Sequence, residues 1–375
     1  MPTKHLVIDD AVPYADALFG QLGTVECLPG RDINAERVKH ADALIVRSRT
    51  QVNAALLQNS NVQFVGSTVV GLDHIDQTWL AQQNIRFYSA QGCNANSVAE
   101  YVITALFHLA QQQQFDLQSK TLGVIGVGHV GRLLAQKAQS LGLHCLLNDP
   151  PRATIEGEQG FSPLEELLTQ ADIISVHTPL TTSGDYPTHH LLNATNLRLM
   201  RPQTILINAA RGGIIDEQAW LTSQTQANII DCWQNEPFIN GALYQQADIA
   251  TPHIAGHSLE AKINGSLMVY QQLCQHWHIA PQTQWRSQLP PAPAPLIVPE
   301  PADLQTMLAQ IIKQTYDIQQ DDIALRNPDI AQVQQAFEDY RRHYPIRREW
   351  AQHRLAITPH TQLNEHLKQL GFMLY

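Results

Sequence analysis

A glycine run, Gly126-Val127-Gly128-His129-Val130-Gly131, constrains this chain more than any other feature. It sits between a strand-like stretch beginning at Leu122 and a helix-like one. In the latter, Val130, Leu133, Leu134, Ala138 and Leu141 share a face, as they do in a helix packed on a sheet. The first glycine permits a tight turn, the second lets backbone approach a pyrophosphate, and the third lets helix and strand pack closely. Backbone amides and the positive helix end then face phosphate oxygens. The next strand-like run ends in Asp149, 18 residues past Gly131. A carboxylate there accepts hydrogen bonds from the ribose hydroxyls of NAD and repels the 2′-phosphate of NADP. Arg152 stands close by and softens that discrimination. NAD is therefore the expected cofactor.

The rest of the chain extends this α/β rhythm in both directions. Upstream, LVIDD, ALIVRS, VQFVGST and IRFYSA read as strands separated by helical lengths. A longer helix follows, with Val98, Val102, Leu106 and Leu109 at helical spacing and Asn96 or Ser97 as its N-cap. Downstream of the glycines, HCLLND, DIISVHTP, TILINAA and NIID continue the parallel-sheet series to about Gly256, and residues 258–279 read as one more helix. At 289–301 the composition changes to LPPAPAPLIVPEP, a stiff extended connector. Beyond it, Leu304, Met307, Leu308, Ile311, Ile312 and Tyr316 form an amphipathic stripe. Leu363, Leu367 and Leu370 form another, stopped by Gly371, while RLAIT and FMLY read as strands. This tail holds no catalytic motif, and its small size predicts that it packs on the rest or on a second subunit.

Composition removes several classes of function. With 24 Lys+Arg against 34 Asp+Glu among 375 residues, the net charge is −10, a poor match to nucleic acid or an anionic membrane. No apolar run approaches the ~18 residues of a membrane span, and the start, MPTKHLVIDD, reads as a strand beginning at once. The five scattered cysteines show no Cys-x-x-Cys pairing, so neither a metal site nor a disulfide framework is expected. Reduced thiols in a cytoplasmic protein are the expectation.

Three further motifs carry chemistry. In INAARGGIID a strand delivers Arg211 to a glycine-rich turn, and its planar fork suits a carboxylate. Asp231-Cys232-Trp233-Gln234-Asn235-Glu236-Pro237 supplies a carboxylate at the next strand end, and Thr251-Pro252-His253-Ile254-Ala255-Gly256 a histidine at the one after. A carboxylate beside an imidazole fixes its orientation and favours its charged form. Such a histidine can take a proton from an alcohol and return it to a ketone.

Asn-Ala-x-Arg-Gly, Asp-x-Trp-x-x-Glu-Pro and Pro-His-Ile-Ala-Gly, in this order after the glycine run, resemble the D-2-hydroxyacid dehydrogenases over about residues 1–285. The resemblance implies an α/β fold of two doubly wound parallel-sheet domains, a flavodoxin-like substrate domain and a Rossmann NAD domain, with the active site in the cleft between them. The small α+β C-terminal module follows them. The expected boundaries are 1–97 with 257–288 for the substrate domain, 98–256 for the NAD domain, 289–301 for the linker and 302–375 for the C-terminal domain. The resemblance makes Arg211 the anchor of the substrate carboxylate and C2 oxygen, His253 the acid/base and Glu236 its partner. It places NAD against Gly126, Gly128, His129, Val130, Gly131, Asp149, Thr178, Ala209, Ala210, Asp231 and Gly256.

IDDAVPYA, LIVRSRT, QGCNANSVAEYV, NDPPRA and YRRHYPIRREW narrow the resemblance to a branch acting on a phosphorylated 2-hydroxy acid and dimerising through the tail. Substrate contacts are then expected at Arg47, Ser48, Ser67, Thr68, Val69, Arg211 and His257. Arg47 and Arg49, with Arg347 and Arg348, are the candidates for the phosphate. Two positions depart from that branch: His257 stands in place of a Tyr, and Val69 in place of a Thr. Another dehydrogenase of the family, acting on a phosphoglycerate or hydroxypyruvate, and an NADH-responsive binding protein of the same fold are the competing readings.

Overall fold

The computed structural model describes residues 4–326 and 329–375. The first three residues of the run read as an N-terminal strand lie outside this range, and the strand itself starts at Lys4. The chain falls into two compact units, with boundaries at Asn94/Ala95, His257/Ser258 and Pro291/Ala292.

The first unit is built on five parallel strands, β1 (Lys4–Asp9), β2 (Gly23–Leu28), β3 (Ala43–Val46), β4 (Phe64–Ser67) and β5 (Arg86–Ser89). Their order, β2-β1-β3-β4-β5, is that of a doubly wound sheet. β3 and β4 are buried along their whole length, which is why they read as unbroken apolar runs. β2 was not among the strands expected from the sequence. It lies at the sheet edge, and its sequence Gly-Thr-Val-Glu-Cys-Leu is partly exposed and lacks an apolar run. The helix Leu259–His276 belongs to this unit and buries Ile263, Val269, Tyr270 and Leu273 in one cluster with Leu6, Ile8 and Phe64.

The second unit holds six parallel strands, β6 (Thr121–Ile125), β7 (His144–Asn148), β8 (Ile173–Val176), β9 (Ile205–Asn208), β10 (Ala227–Ile230) and β11 (Ile249–Ala250), ordered β11-β10-β9-β8-β6-β7. The strand end expected before His253 is the two-residue β11, too short to show as an apolar run of its own. The helix Ala95–Gln113 starts before Asn96 and Ser97, so neither is the N-cap expected of it. Both side chains instead reach Glu349: Asn96 Nδ2 donates at 2.7 Å and Ser97 Oγ at 2.7 Å. Both residues lie inside the first turn, where their side chains meet a carboxylate brought from far along the chain.

The C-terminal segment is part of this second unit. It contributes the helices Leu304–Thr315, Ile318–Leu325, Ile330–Arg342 and Thr361–Leu370, and a short parallel pair, β12 (Arg354–Leu355) and β13 (Met373–Leu374). Its two apolar stripes, from Met307 to Ile312 and from Leu363 to Leu370, share a core with Val102, Leu106 and Leu109 of the helix Ala95–Gln113. Gly371 ends the last helix in the left-handed region (φ 104). Among the described residues no helix is long and apolar enough to cross a membrane.

Candidate active site

Parallel strands all point their carboxyl ends to one edge of a sheet, and loops leaving that edge converge there. β9, β10 and β11 are immediate neighbours, and Arg211, Glu236 and His253 follow them in turn. The topology of the second unit thus gathers three residues that are 42 positions apart in sequence from first to last.

Their loops are interlocked. Asn208 Nδ2 donates to the Arg211 carbonyl at 3.0 Å and to the Cys232 carbonyl at 3.1 Å, and its Oδ1 accepts from the Ala210 N–H. The backbone at Gly212 lies so close to the Trp233 carbonyl that a Cβ there would overlap it. The half-buried Arg211 donates from Nη1 to the Ala210 carbonyl at 2.7 Å, and the Cys232 thiol approaches the same oxygen. Ala209 and Ala210, read as cofactor contacts, are buried in this turn.

Glu236 Oε2 lies 2.9 Å from His253 Nδ1, while Oε1 accepts from the Trp233 N–H at 2.8 Å. Burial alone would push the Glu236 carboxyl up. The charge and hydrogen bond of His253, with the Trp233 N–H, outweigh it and hold the group below the usual carboxylate range. With Nδ1 engaged, Nε2 is the ring atom left for a substrate oxygen. His253 takes a left-handed backbone (φ 55), as does Asn235 (φ 62) next to Glu236. Non-glycine residues adopt this region rarely and at a cost of order 1–3 kcal/mol. Cys232 Sγ, a Glu236 oxygen and a His253 ring nitrogen lie within 4.8 Å of one another, a grouping of metal-ligating types. Burial, with Asp231 and Glu236 beside it, pushes the thiol far up, which keeps it protonated and a poor ligand.

Asp231 holds the histidine loop from below. Its Oδ1 accepts from the Ile254 N–H at 2.7 Å and from Thr251 Oγ1 at 2.7 Å, and its Oδ2 accepts from the Ala255 N–H at 3.0 Å. Both oxygens of this residue, read as a cofactor contact, are thus directed at the loop. Thr251 Oγ1 also pairs with Tyr101 Oη at 2.7 Å. Asn208, Thr251 and Tyr101 belong to the sequence motifs but have no role legible there, since only the fold shows what the three touch. Gly256 and His257 are half-buried at the end of the same loop, and the His257 ring stands edge-on to Tyr344 at 5.6 Å.

The glycine run turns where expected. Gly126 is in the left-handed region (φ 87), with the Thr178 amide 2.8 Å from where a Cβ would sit, and a Cβ on Gly131 would overlap the Gly126 carbonyl. At Gly128 the space is open, and the helix His129–Ser140 starts there with no side-chain cap. His129 is exposed and Val130 half-buried at that start. Beside the turn, Thr178 Oγ1 is buried with no hydrogen-bond partner among the described residues. An uncapped helix N-terminus, an open glycine and an orphaned hydroxyl fit the phosphates of a dinucleotide. Asp149, at the tip of β7, accepts from the Val127 N–H at 2.8 Å and the Arg152 N–H at 3.1 Å. The Arg152 guanidinium is tied to both oxygens of Glu156 at 2.7 Å. Its charge is therefore matched within its own helix.

In the first unit, Arg47 and Ser48 follow β3, and Ser67 to Val69 close the neighbouring β4. Arg47 is half-buried and Ser48 and Arg49 are exposed. Ser67 and Ser89 both donate to the Val69 carbonyl, at 3.3 and 3.1 Å, and the Thr68 N–H donates to Val46. These bonds fix the turn that carries Val69. Arg347 corrects an expectation: it is buried, with its guanidinium on the Ala255 and Ser97 carbonyls, and so is not placed for a phosphate.

The chain's NAD-side region, residues 96–255, matches the model of the D-isomer specific 2-hydroxyacid dehydrogenase NAD binding domain. Over 373 residues the chain is 57% identical to the erythronate-4-phosphate dehydrogenase of Hydrogenovibrio crunogenus, covering 100% of this chain and 99% of that one. The chain belongs to the erythronate-4-phosphate dehydrogenase family. A second relative of that name, from Ruthia magnifica subsp. Calyptogena magnifica, is 47% identical over 92% of this chain and 96% of its own length. Residues 289–371 of this dehydrogenase match a further family model, described as a domain of unknown function. Among solved structures, NAD-bound 3-phosphoglycerate dehydrogenase from Entamoeba histolytica superposes with a TM-score of 0.62 at 25% identity, over 74% of this chain and 96% of that one. The erythronate-4-phosphate dehydrogenase fold is thus the α/β fold expected from the sequence, its cofactor is NAD, and its glycine run lies inside the matched NAD-binding domain.

Proposed function

We propose that the chain catalyses oxidation of 4-phospho-D-erythronate by NAD to 2-oxo-3-hydroxy-4-phosphobutanoate, a step on the way to pyridoxal phosphate. The observation that carries this reading is the Glu236–His253 pair at the strand end next to Arg211, in a chain related over its whole length to enzymes of that name.

Arg211 holds the C1 carboxylate with its fork and lends an N–H to the oxygen on C2. Neutral His253 removes the C2 hydroxyl proton through Nε2 as the C2 hydride departs and the C2–O bond becomes a carbonyl. Bound NAD supplies the acceptor for that hydride. Glu236, kept ionised, balances the charge that His253 gains and keeps its ring in one orientation. Thr178, Asp149 and the Gly126–Gly131 turn hold the dinucleotide, with Ala209, Ala210, Asp231 and Gly256 as further contacts. Arg47 and Ser48 are the proposed phosphate contacts, with Ser67, Thr68, Val69 and His257 against the rest of the substrate. The same reading includes a homodimer formed through residues 302–375 and a cytoplasmic location, where the five free cysteines would stay reduced.

The test is NADH formation, followed by absorbance, with 4-phosphoerythronate against 3-phosphoglycerate. A strong preference for the first is expected. A preference for the second moves the chain's activity to another hydroxyacid, and no NADH with either overturns the reading.

A further inference from the structure

The C-terminal segment carries no catalytic motif, yet it reaches the loop that bears the acid/base histidine. Arg347 is buried, and its Nη2 donates to the Ala255 carbonyl and, at 3.4 Å, to the Ser97 carbonyl. Its guanidinium lies over the Tyr316 ring, 4.5 Å from the centroid. A cation on an aromatic face and on two carbonyls is held in one place, because each contact limits a different motion.

The surroundings hold Arg347 in turn. Asp321, buried in the helix Ile318–Leu325, accepts from three tyrosine hydroxyls: Tyr316 at 2.6 Å, Tyr340 at 2.6 Å and Tyr344 at 2.8 Å. Two of those rings, Tyr316 and Tyr344, flank the arginine and the histidine loop: Tyr316 lies under the guanidinium and Tyr344 against His257. Two residues past Arg347, Glu349 binds Asn96 and Ser97 at the start of the helix Ala95–Gln113.

The loop from His253 to His257 is therefore gripped on two sides. Asp231 takes its amides at Ile254 and Ala255, and Arg347 takes the Ala255 carbonyl. We propose that Arg347 is a positioning residue for the acid/base step: by fixing the peptide two residues beyond His253, it sets the imidazole against the Glu236 carboxylate and the substrate oxygen. The inference rests on the assignment of His253 as the acid/base. A misplacement of about 1 Å at a reacting group can cost about 10²-fold in rate, so a peripheral hydrogen bond of this kind has catalytic leverage.

The experiment compares full-length enzyme carrying Arg347→Lys, His253→Ala and both. A lysine keeps the charge but lacks the planar guanidinium that lies over the Tyr316 ring, so its ammonium is not held against the Ala255 carbonyl in the same way. With Arg347→Lys, kcat for 4-phosphoerythronate should fall about tenfold, with KM for NAD and the NADH dissociation constant within about twofold. In the His253→Ala background the same change should alter kcat by less than about twofold, because no imidazole remains to be misplaced. An undiminished kcat in Arg347→Lys, or an equal tenfold loss in both backgrounds, overturns the inference. Near-wild-type activity of His253→Ala overturns the assignment beneath it instead. Tyr316→Leu removes the ring under the guanidinium and keeps the arginine. It should give a loss of about threefold in kcat with the same dependence on His253, and it keeps the test decisive should Arg347→Lys fail to fold. No loss with Tyr316→Leu, or an equal loss without His253, then overturns it.

Discussion

His253 Nδ1 and Glu236 Oε2 meet at 2.9 Å across the ends of two neighbouring parallel strands, although 17 residues separate them. The contact commits one ring nitrogen to the protein and leaves the other for chemistry. Replacing Glu236 by Gln keeps a polar partner but removes the anion and allows the ring to settle in the other tautomer. We expect kcat to fall by about 10²-fold, with NADH binding retained. Steady-state kinetics beside fluorescence titration of NADH checks this, and an unchanged kcat would remove Glu236 from the reaction.

Arg211 sits on a turn locked by Asn208 and pressed against Trp233, so its guanidinium starts from a fixed base. Arg211→Lys should lower kcat/KM by about 10²-fold, since a point charge does not replace a bidentate fork. A kcat/KM within a few-fold of wild type would show that charge alone suffices.

Asp149 accepts two backbone N–H groups next to the glycine turn, and Arg152 is paired with Glu156. Asp149→Ala should therefore shift the NAD-to-NADP preference by about tenfold or more, roughly 1.4 kcal/mol. The ratio of kcat/KM for the two cofactors measures it. A ratio that does not move would assign ribose recognition elsewhere.

Glu100 is buried in the helix Ala95–Gln113, with Lys137 Nζ at 3.9 Å and the Trp350 N–H at 3.2 Å. Burial, only partly offset by Lys137 and reinforced by Glu349, pushes its carboxyl up to about 8. A carboxyl raised on folding contributes stability that is complete below its unfolded value and lost as pH climbs through the folded one. Lys137 is pushed down by the same burial, and Glu100→Gln leaves it in place. The variant should thus lose less stability than wild type between about pH 5 and pH 8. Denaturant unfolding across that range is the measurement, and parallel curves for the two proteins would refute it.

The strands and the reactive trio were legible because each motif sits at the end of a buried apolar run, and neighbouring parallel runs end on one edge. β2 is not, because an edge strand with Thr24 and Cys27 exposed and Glu26 in its middle has no such run. The capping role expected of Asn96 and Ser97 fails because the helix already starts at Ala95, and the carboxylate that their side chains meet instead lies 253 positions from Asn96. Tyr101 and Thr251 meet across 150 positions, and no local pattern announces a pairing of that range. The charge of Arg347 makes it one of several candidates for a phosphate contact, whereas its surroundings bury it against the histidine loop.

The junction of Asn96, Ser97 and Glu100 with Glu349 and Trp350 means that the tail is not a detachable appendage. Trimming the chain at the proline run would leave Val102, Leu106 and Leu109 without the oily cover they share with the last helices. A protein of this fold without the tail would have to cover that flank in another way, with polar side chains or with a second subunit.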